Sequence, residues 1–301
     1  MESVGKIGRD FLLEFNDFLI FYGIMDKHCY KYEEAFSSIV EKGRKSILRG
    51  AYGLCYNDAI NIEEVIMQEL LHGAFLFVAY VIPAAVVMLT ARRFLKIPDE
   101  LFRKILHFIL LGAYFPFLFG FNTWWISAGF AVGVMAIIYP ILALAGKIPA
   151  FSSFVNERKK GEFKSSMILA LATVAISISI CWGIFDDKLL TLACVYAWGV
   201  GDAFAALVGK QFGKHKIKLP LADPCKSWEG SVAMFVSAVV SVVTVLLVRG
   251  GMEMGTCIFI SLLAATATTY VELITKDGMD TITCPAVAMV VIIPLVEIMG
   301  G

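Results

Sequence analysis

The amino-acid sequence predicts an all-α, polytopic integral membrane protein with about eight transmembrane helices after an N-terminal amphipathic helical region. The first observation is composition, because 58% of the 301 residues are hydrophobic and only 17% are charged, against about 45–50% and about 25% in soluble domains. The second is a series of apolar runs of roughly 20 residues, enough to cross a bilayer core of about 30 Å. The third is a concentration of Lys and Arg in alternate connections between those runs.

Charge and cysteine content exclude several other classes. The 26 basic and 26 acidic side chains cancel to a net charge of +0, which argues against a nucleic-acid-binding surface. The seven cysteines are odd in number and form no Cys-x-x-Cys pair, which argues against a disulfide framework or a structural zinc site. A mean hydropathy of +0.76 leaves a multi-pass membrane protein as the remaining class.

The transmembrane part is predicted over residues 70–301. Its eight expected spans are residues 70–91, 105–121, 124–145, 166–185, 189–208, 231–248, 256–275 and 282–299. The connections after the first, third, fifth and seventh spans are long and basic, whereas those after even-numbered spans contribute only Lys188 and Arg249. By the positive-inside rule, the basic connections face the cytoplasm.

Residues 1–69 differ from the rest, because charges recur every few positions. Over residues 11–25 the aromatic side chains and the acidic residues Glu14 and Asp17 fall on separate helical faces, as in an interfacial amphipathic helix. A signal peptide is not expected, since no basic segment precedes this stretch and no small-residue cleavage site follows it.

Ionisable residues at the ends of the spans are the candidates for function, since a charge at mid-bilayer costs at least about 2.5 kcal/mol. The first group is Arg103, Lys104 and His107, whose spacings of three and four place them at the cytoplasmic mouth of the second span. Snorkelling anchors beside an interfacial histidine are the alternative interpretation of this group.

The second group surrounds Asp202, which is followed by the small residues Ala205, Ala206 and Gly209 on one helical face. Such a face permits close approach of another helix or of a ligand. A loop then carries the basic residues Lys210, Lys214, His215, Lys216 and Lys218. The next span opens with Lys226, Ser227 and Glu229. A carboxylate beside lysines and a Gly-Ser helix start suits a magnesium-bound polyphosphate. A buried structural aspartate followed by a solvated basic loop is the alternative.

The third group is Glu272, near the end of the seventh span, and Asp280, at the start of the eighth, where it could simply be a helix cap. Under the predicted topology all three groups lie on the cytoplasmic side, which indicates a single site there. No Walker P-loop and no His-Glu-x-x-His motif occurs in the sequence.

These motifs resemble the polyprenol kinase family, which comprises dolichol kinase, phytol kinase and the CTP-dependent diacylglycerol kinase and is related to the phosphatidate cytidylyltransferases. The similarity covers roughly residues 70–300 and is most specific in three segments, namely residues 201–209, 212–216 and 226–235. The family's Arg-Lys-x-x-His matches Arg103, Lys104 and His107. Its late Glu, Asp-Asn and Pro match Glu272, Asp280 and Pro285, with Thr281 where the family usually has Asn.

The resemblance implies a membrane kinase that moves the terminal phosphate of CTP, with Mg²⁺, onto the hydroxyl of an isoprenoid alcohol or diacylglycerol. The implied catalytic residues are Asp202, Lys226, Asp280 and His107. The implied metal ligands are Asp202, Glu272 and Asp280. The implied nucleotide-binding residues are Arg103, Lys104, Gly209, Lys210, Lys214, His215, Ser227 and Glu229. The expected partners are the lipid alcohol and the nucleoside triphosphate, and the small-residue helix faces make a homodimer plausible.

Three other functions remain open from the sequence. A phosphatidate cytidylyltransferase shares the central motifs, but its terminal His-Gly-Gly and Asp-Arg are absent after Lys276 and Asp277. An intramembrane aspartyl protease shares a Gly-x-Gly-Asp at Asp202, but residues 166–184 lack the second aspartate that its dyad needs. A transporter would spread its charges over both membrane faces, whereas here they cluster on one.

Overall fold

In the computed structural model, the described residues are 62–95, 97–147, 161–217, 226–275 and 278–300. They are helical almost throughout. In chain order the helices are α1 (Ile62–Phe94), α2 (Asp99–Gly112), α3 (Tyr114–Phe119), α4 (Trp124–Ala145), α5 (Glu162–Ser177), α6 (Lys188–Phe212), α7 (Trp228–Arg249), α8 (Met254–Ile274) and α9 (Asp280–Met299). A π-helical turn, Ile178–Trp182, continues α5.

The predicted all-α, multi-pass class is confirmed. Within the described ranges, eight helical segments are long and apolar enough to cross a membrane, with α2 and α3 together forming one of them. Each corresponds to a predicted span, and the third coincides with it at residues 124–145. Residues 1–61 of the predicted interfacial region lie outside the described residues, while residues 62–69 are the first turns of α1.

The first span begins eight residues earlier than the sequence predicts, and Glu69, the charged residue just before the predicted start, has its partners elsewhere in the fold. The carboxylate of Glu69 accepts hydrogen bonds from the backbone N–H groups of Asn122 and Thr123, at 2.8 and 2.7 Å, and from the Thr123 hydroxyl at 3.0 Å. These contacts anchor the turn that leads into α4. At 33 residues, α1 is about 50 Å long and exceeds the thickness of the bilayer core.

The second span is broken at Ala113, whereas the sequence predicts one continuous helix over residues 105–121. Pro116 has no backbone N–H to give to the carbonyl of Gly112, and its ring crowds that carbonyl. Hydroxyl groups from two other helices support the last turn of α2: Tyr80 donates to the carbonyl of Ile109 at 2.8 Å, and Tyr196 donates to that of Leu111 at 3.4 Å. The break therefore divides the second span into α2, which carries Arg103, Lys104 and His107, and the short α3.

Helix α6 is the centre of the bundle. Every residue from Leu190 to Val195 is buried, as expected for a helix that is apolar on all sides and enclosed by others. It packs against α2, α7, α8 and α9. Asp187 caps its first turn by accepting from the N–H of Leu190 at 2.9 Å, and the same carboxylate pairs with Arg249 at the end of α7.

Helices α6 and α7 approach each other through glycines. A Cβ placed on Gly230 would lie 2.9 Å from the carbonyl oxygen of Ala205 and 3.3 Å from the Cα of Gly209. A Cβ on Gly201 would lie 2.9 Å from Cγ of Met234. The small-residue face that follows Asp202 is thus a helix-packing face, and it brings the start of α7 against the end of α6.

Candidate active site

A buried ion pair lies at the centre of the predicted site. The Lys104 ammonium on α2 donates to Oδ2 of Asp202 on α6 at 2.7 Å, and the two side chains are only 8% and 18% exposed. His107, one turn after Lys104, has its Nε2 3.9 Å from the same carboxylate oxygen and 2.9 Å from the carbonyl of Gly199. Because a carbonyl can only accept, this contact assigns the hydrogen to Nε2. In the neutral ring, Nδ1 is then a hydrogen-bond acceptor.

Trp198 connects this centre to Asp280. Its ring lies edge-on to the His107 ring, with centroids 5.2 Å apart, and its indole N–H donates to Oδ2 of Asp280 at 3.4 Å. Asp280 is the first residue of α9, so its carboxylate also lies at the positive end of that helix. The arrangement joins residues from α2, α6 and α9 in one place.

A second lysine and carboxylate pair joins the start of α7 to the end of α8. The Lys226 ammonium donates to the Glu272 carboxylate and, at 2.9 Å, to the backbone carbonyl of the same residue. Glu272 is 4% exposed at its side chain, so this negative charge is enclosed and requires its partner.

The rim of the site carries more exposed cations. Arg103 and Lys210, from α2 and α6, both donate to the carboxylate of Glu100, the Lys210 contact measuring 3.2 Å. The Arg103 side chain is 37% exposed and that of Lys210 is 66% exposed. The sequence predicts both cations as nucleotide ligands, whereas Glu100 is a residue that the motifs did not single out.

The loop after α6 folds back on the start of α7. An antiparallel bridge pairs Lys216 with Ser227, and the N–H of Trp228 donates to the carbonyl of His215 at 3.0 Å. Glu229 holds the loop, since its carboxylate accepts from the N–H groups of Lys214 and His215 at 3.2 Å each and contacts Nδ1 of His215 at 2.7 Å. A carboxylate in the first turn of α7 therefore holds Lys214 and His215, in the described part of this connection.

Two residues predicted to bind nucleotide have structural contacts as well. Ser227 caps α7, its hydroxyl accepting from the N–H of Gly230 at 3.2 Å. A Cβ on Gly209 would lie 3.2 Å from that hydroxyl oxygen, so a side chain at this position would push against the cap. Both residues hold the end of α6 against the start of α7, next to Lys226.

The carboxylates offer the oxygen donors that magnesium prefers. Among the described residues, no group of three or more His, Cys, Asp or Glu side chains converges on one point. In nucleotide sites Mg²⁺ is usually held by one or two carboxylates, with phosphate oxygens and water completing its shell. Asp202, Glu272 and Asp280 therefore suit a magnesium ion that arrives together with phosphates.

The structure brings the three predicted groups of residues to one end of the bundle. Lys104, His107, Asp202 and Asp280 meet around Trp198, and Lys226 with Glu272 completes the inner part. Arg103 and Lys210 form the rim with Glu100, and His215 lies on the exposed loop held by Glu229. Sequence reasoning missed Glu100 and Trp198; the signals that could have found them are a Glu three residues before an Arg and a Trp one turn before Asp202.

The chain matches the cytidylyltransferase family over residues 60–296. A probable chloroplastic phytol kinase of Triticum aestivum is 30% identical over 177 residues, which cover 55% of this chain and 55% of the relative. The phytol kinase of Synechocystis sp. is 27% identical over 197 residues, covering 62% of this chain and 76% of the relative. Probable phytol kinase 1 of Oryza sativa is 29% identical over 168 residues, covering 53% and 50%.

The chain thus spans about half the length of the two plant relatives that it matches. No solved structure matches it. The resemblance to the polyprenol and phytol kinases that the motifs predict is confirmed, and the match extends over most of the described helices. By that match the chain belongs to the cytidylyltransferase family.

Proposed function

We propose that the protein is an integral-membrane lipid kinase that transfers the terminal phosphate of CTP, with Mg²⁺, to the hydroxyl of an isoprenoid alcohol such as phytol. The observation that carries the proposal is the convergence of Lys104, Asp202, Lys226 and Glu272 at one end of a helix bundle. The similarity to phytol kinases supports an isoprenoid alcohol as acceptor.

The cations have the roles that phosphoryl transfer requires. Lys104 and Lys226 offset the charge that develops on the transferred phosphoryl group, and Arg103 and Lys210 bind the outer phosphates. His107 holds Lys104 and Asp202 in register through its contact with Gly199. Magnesium, held by Asp202 with Glu272 or Asp280 and by phosphate oxygens, would supply charge neutralisation between the phosphates.

Asp280 is the group best suited to orient the lipid hydroxyl. Asp202 and Glu272 each accept from a lysine, whereas Asp280 accepts from the indole N–H of Trp198. In the proposed step the hydroxyl oxygen forms a bond to the terminal phosphorus, and the bond from that phosphorus to the bridging oxygen breaks. CDP leaves with the electron pair, and the hydroxyl proton passes to the Asp280 carboxylate.

The lipid tail is proposed to enter from the hydrocarbon side of α2 and α6. Phe108 and Phe204 lie within two residues of His107 and Asp202 in the chain, and their rings meet edge-on with centroids 6.2 Å apart. Both rings are partly exposed on the outer surface of the bundle, at 37% and 43%. These two exposed rings are therefore the proposed contact for an isoprenoid chain in the membrane.

The test uses the full chain, purified in detergent, with Mg²⁺, γ-labelled CTP or ATP, and a panel of isoprenoid alcohols and diacylglycerol. The proposal predicts labelled lipid phosphate from CTP and an isoprenoid alcohol, with turnover at least about a hundredfold lower in Asp202→Asn. Glu253→Gln, an exposed carboxylate before α8, is the matched control and should retain full activity. Near-normal turnover by Asp202→Asn would contradict its proposed role.

Nucleotidyl transfer to phosphatidate is the second candidate, because the matching family is described by that activity. The same assay with α-labelled CTP and phosphatidate distinguishes the two reactions. Release of pyrophosphate with a labelled CDP-lipid would replace the kinase proposal, whereas lipid phosphate and CDP support it.

The site is proposed to face the cytoplasm. The basic connections support this side, and the turn at Asn122, between α3 and α4, would then lie on the other face. Single cysteines introduced at Lys216 and at Asn122, in a background without other cysteines, should react with an impermeant maleimide from opposite sides of oriented vesicles.

A further inference from the structure

A carboxylate outside the recognised motifs holds two rim cations together. Glu100 lies in the first turn of α2, and its side chain is only 11% exposed although it is at the end of a span. It accepts from a guanidinium nitrogen of Arg103, one turn further along α2. It also accepts from the ammonium of Lys210 at 3.2 Å, across the interface with α6.

The two cations would otherwise repel each other. Arg103 and Lys210 approach the same carboxylate from different helices, and without this contact the Lys210 side chain, which is 66% exposed, would be free to move in solvent. An arginine has five N–H donors and a lysine three, so the recorded contacts with Glu100 use only one from each. The carboxylate restricts the motion of both side chains, so their remaining donors stay together at this end of the bundle.

We propose that Glu100 is a positioning residue of the nucleotide site, which holds Arg103 and Lys210 in place to receive the phosphates of the nucleoside triphosphate. The inference rests on the proposed function in one respect, namely that the bound anion is a nucleotide. Preorganised cations bind an anion more tightly, since less side-chain freedom is lost on binding. Glu100 therefore improves binding of an anion although it carries a negative charge itself.

The adjacent residue provides a matched control. Asp99 also lies in the first turn of α2, but it pairs with Arg92 at 2.7 Å and its side chain is 57% exposed. Asp99→Asn removes the same charge from nearly the same place without affecting Arg103 or Lys210. A difference between Asp99→Asn and Glu100→Gln therefore reports the contacts of Glu100 and not the loss of a negative charge.

The experiment measures binding of a non-hydrolysable CTP analogue with Mg²⁺ to the purified full chain by calorimetry. Glu100→Gln should weaken binding about threefold to tenfold, because Arg103 and Lys210 then lose more side-chain freedom when the phosphates bind. Glu100→Asp keeps the charge, but its side chain is one methylene shorter and does not reach both Arg103 and Lys210. It should therefore weaken binding as well. Asp99→Asn should bind as the wild type does.

In the transfer assay, the KM for CTP should rise by the same factor in Glu100→Gln, while kcat and the KM for the lipid stay within twofold. Equal or tighter nucleotide binding by Glu100→Gln, or an equal loss in Asp99→Asn, would overturn the inference.

The two proposals fail in distinguishable ways. Analogue binding without transfer to any lipid alcohol would contradict the kinase and leave the Glu100 comparison intact. No binding by the wild type of either the analogue or tripolyphosphate would overturn both proposals.

Discussion

The ammonium of Lys104 lies 2.7 Å from Oδ2 of Asp202, so the proposed phosphate ligand and the proposed metal ligand neutralise each other across α2 and α6. The same relation recurs between Lys226 and Glu272. Nucleotide phosphates would draw the lysines away from these carboxylates and leave the carboxylate oxygens to a divalent cation.

The central pair predicts a specific pattern of stability. Lys104→Met leaves the Asp202 carboxylate without its partner in an enclosed position, and breaking such a pair costs about 3–5 kcal/mol. Asp202→Asn likewise leaves the Lys104 ammonium enclosed without its carboxylate partner. The double variant Lys104→Met with Asp202→Asn removes both charges and should be more stable than either single variant. Thermal unfolding of the three proteins in one detergent checks this order, and a double variant less stable than both singles would contradict it.

The contacts of Glu229 predict a separate effect on the loop. Glu229→Ala removes the acceptor for the N–H groups of Lys214 and His215, so the loop should open and be cut by protease more readily. Nucleotide binding should weaken, because Lys214 and His215 lose their fixed positions. Limited proteolysis with calorimetry provides the measurement, and Glu253→Ala is the control. An unchanged cleavage rate would show that the bridge between Lys216 and Ser227 suffices to hold the loop.

The glycine contacts between α6 and α7 predict a difference between two Gly→Ala variants. At Gly230 the new methyl group would lie 2.9 Å from a backbone oxygen, so the helices must separate at a cost of about 1–3 kcal/mol. At Gly133, within α4, a Cβ would meet no atom within 4 Å, and alanine favours a helix. Gly230→Ala should thus unfold at a lower temperature and lose activity, while Gly133→Ala should match or exceed the wild type in stability. Equal unfolding temperatures would contradict the close packing.

The contacts of Glu69 predict a loss of stability without a loss of function. Glu69→Ala removes the acceptor for three donors at the start of α4, which should cost about 1–2 kcal/mol. The residue lies at the end of the bundle away from Asp202, so the KM values for nucleotide and lipid should not change. Glu63→Ala, an exposed carboxylate two turns earlier, serves as the comparison in unfolding and kinetic measurements. A raised KM for CTP in Glu69→Ala would indicate coupling between the two ends.

The spans were predictable because the bilayer imposes a length and an apolar composition on every crossing helix. The end of the bundle that carries Lys104, Asp202 and Lys226 was also predictable, since charged residues of one function must lie at one membrane face. The start of α1 was not, because the carboxylate of Glu69 finds its donors more than 50 residues away. The sequence indicates that burying the Glu69 carboxylate in a span would be unfavourable. It does not show that the backbone N–H groups of Asn122 and Thr123 donate to that carboxylate.

The partners within the site were equally hidden. The sequence predicts that Lys104 and Asp202 act near each other, but their direct contact depends on how α2 crosses α6. In the sequence Trp198 resembles any other apolar residue of a span, although its indole N–H donates a hydrogen bond to Asp280. The roles of individual residues toward nucleotide and metal stay predictions that the variants above can test.

The break at Ala113 has a consequence for how the site can change shape. Helices α6 and α7 meet closely at Gly209 and Gly230, where a Cβ on Gly230 would lie 2.9 Å from the carbonyl oxygen of Ala205. Helix α2 ends at Gly112, where Pro116 interrupts the helical hydrogen bonds, and it is joined to α3, the rest of the second span, through a single turn. Lys104 and His107 lie on α2 before this break, so a change of angle at Ala113 would alter their distances from Asp202 without disturbing the contact between α6 and α7.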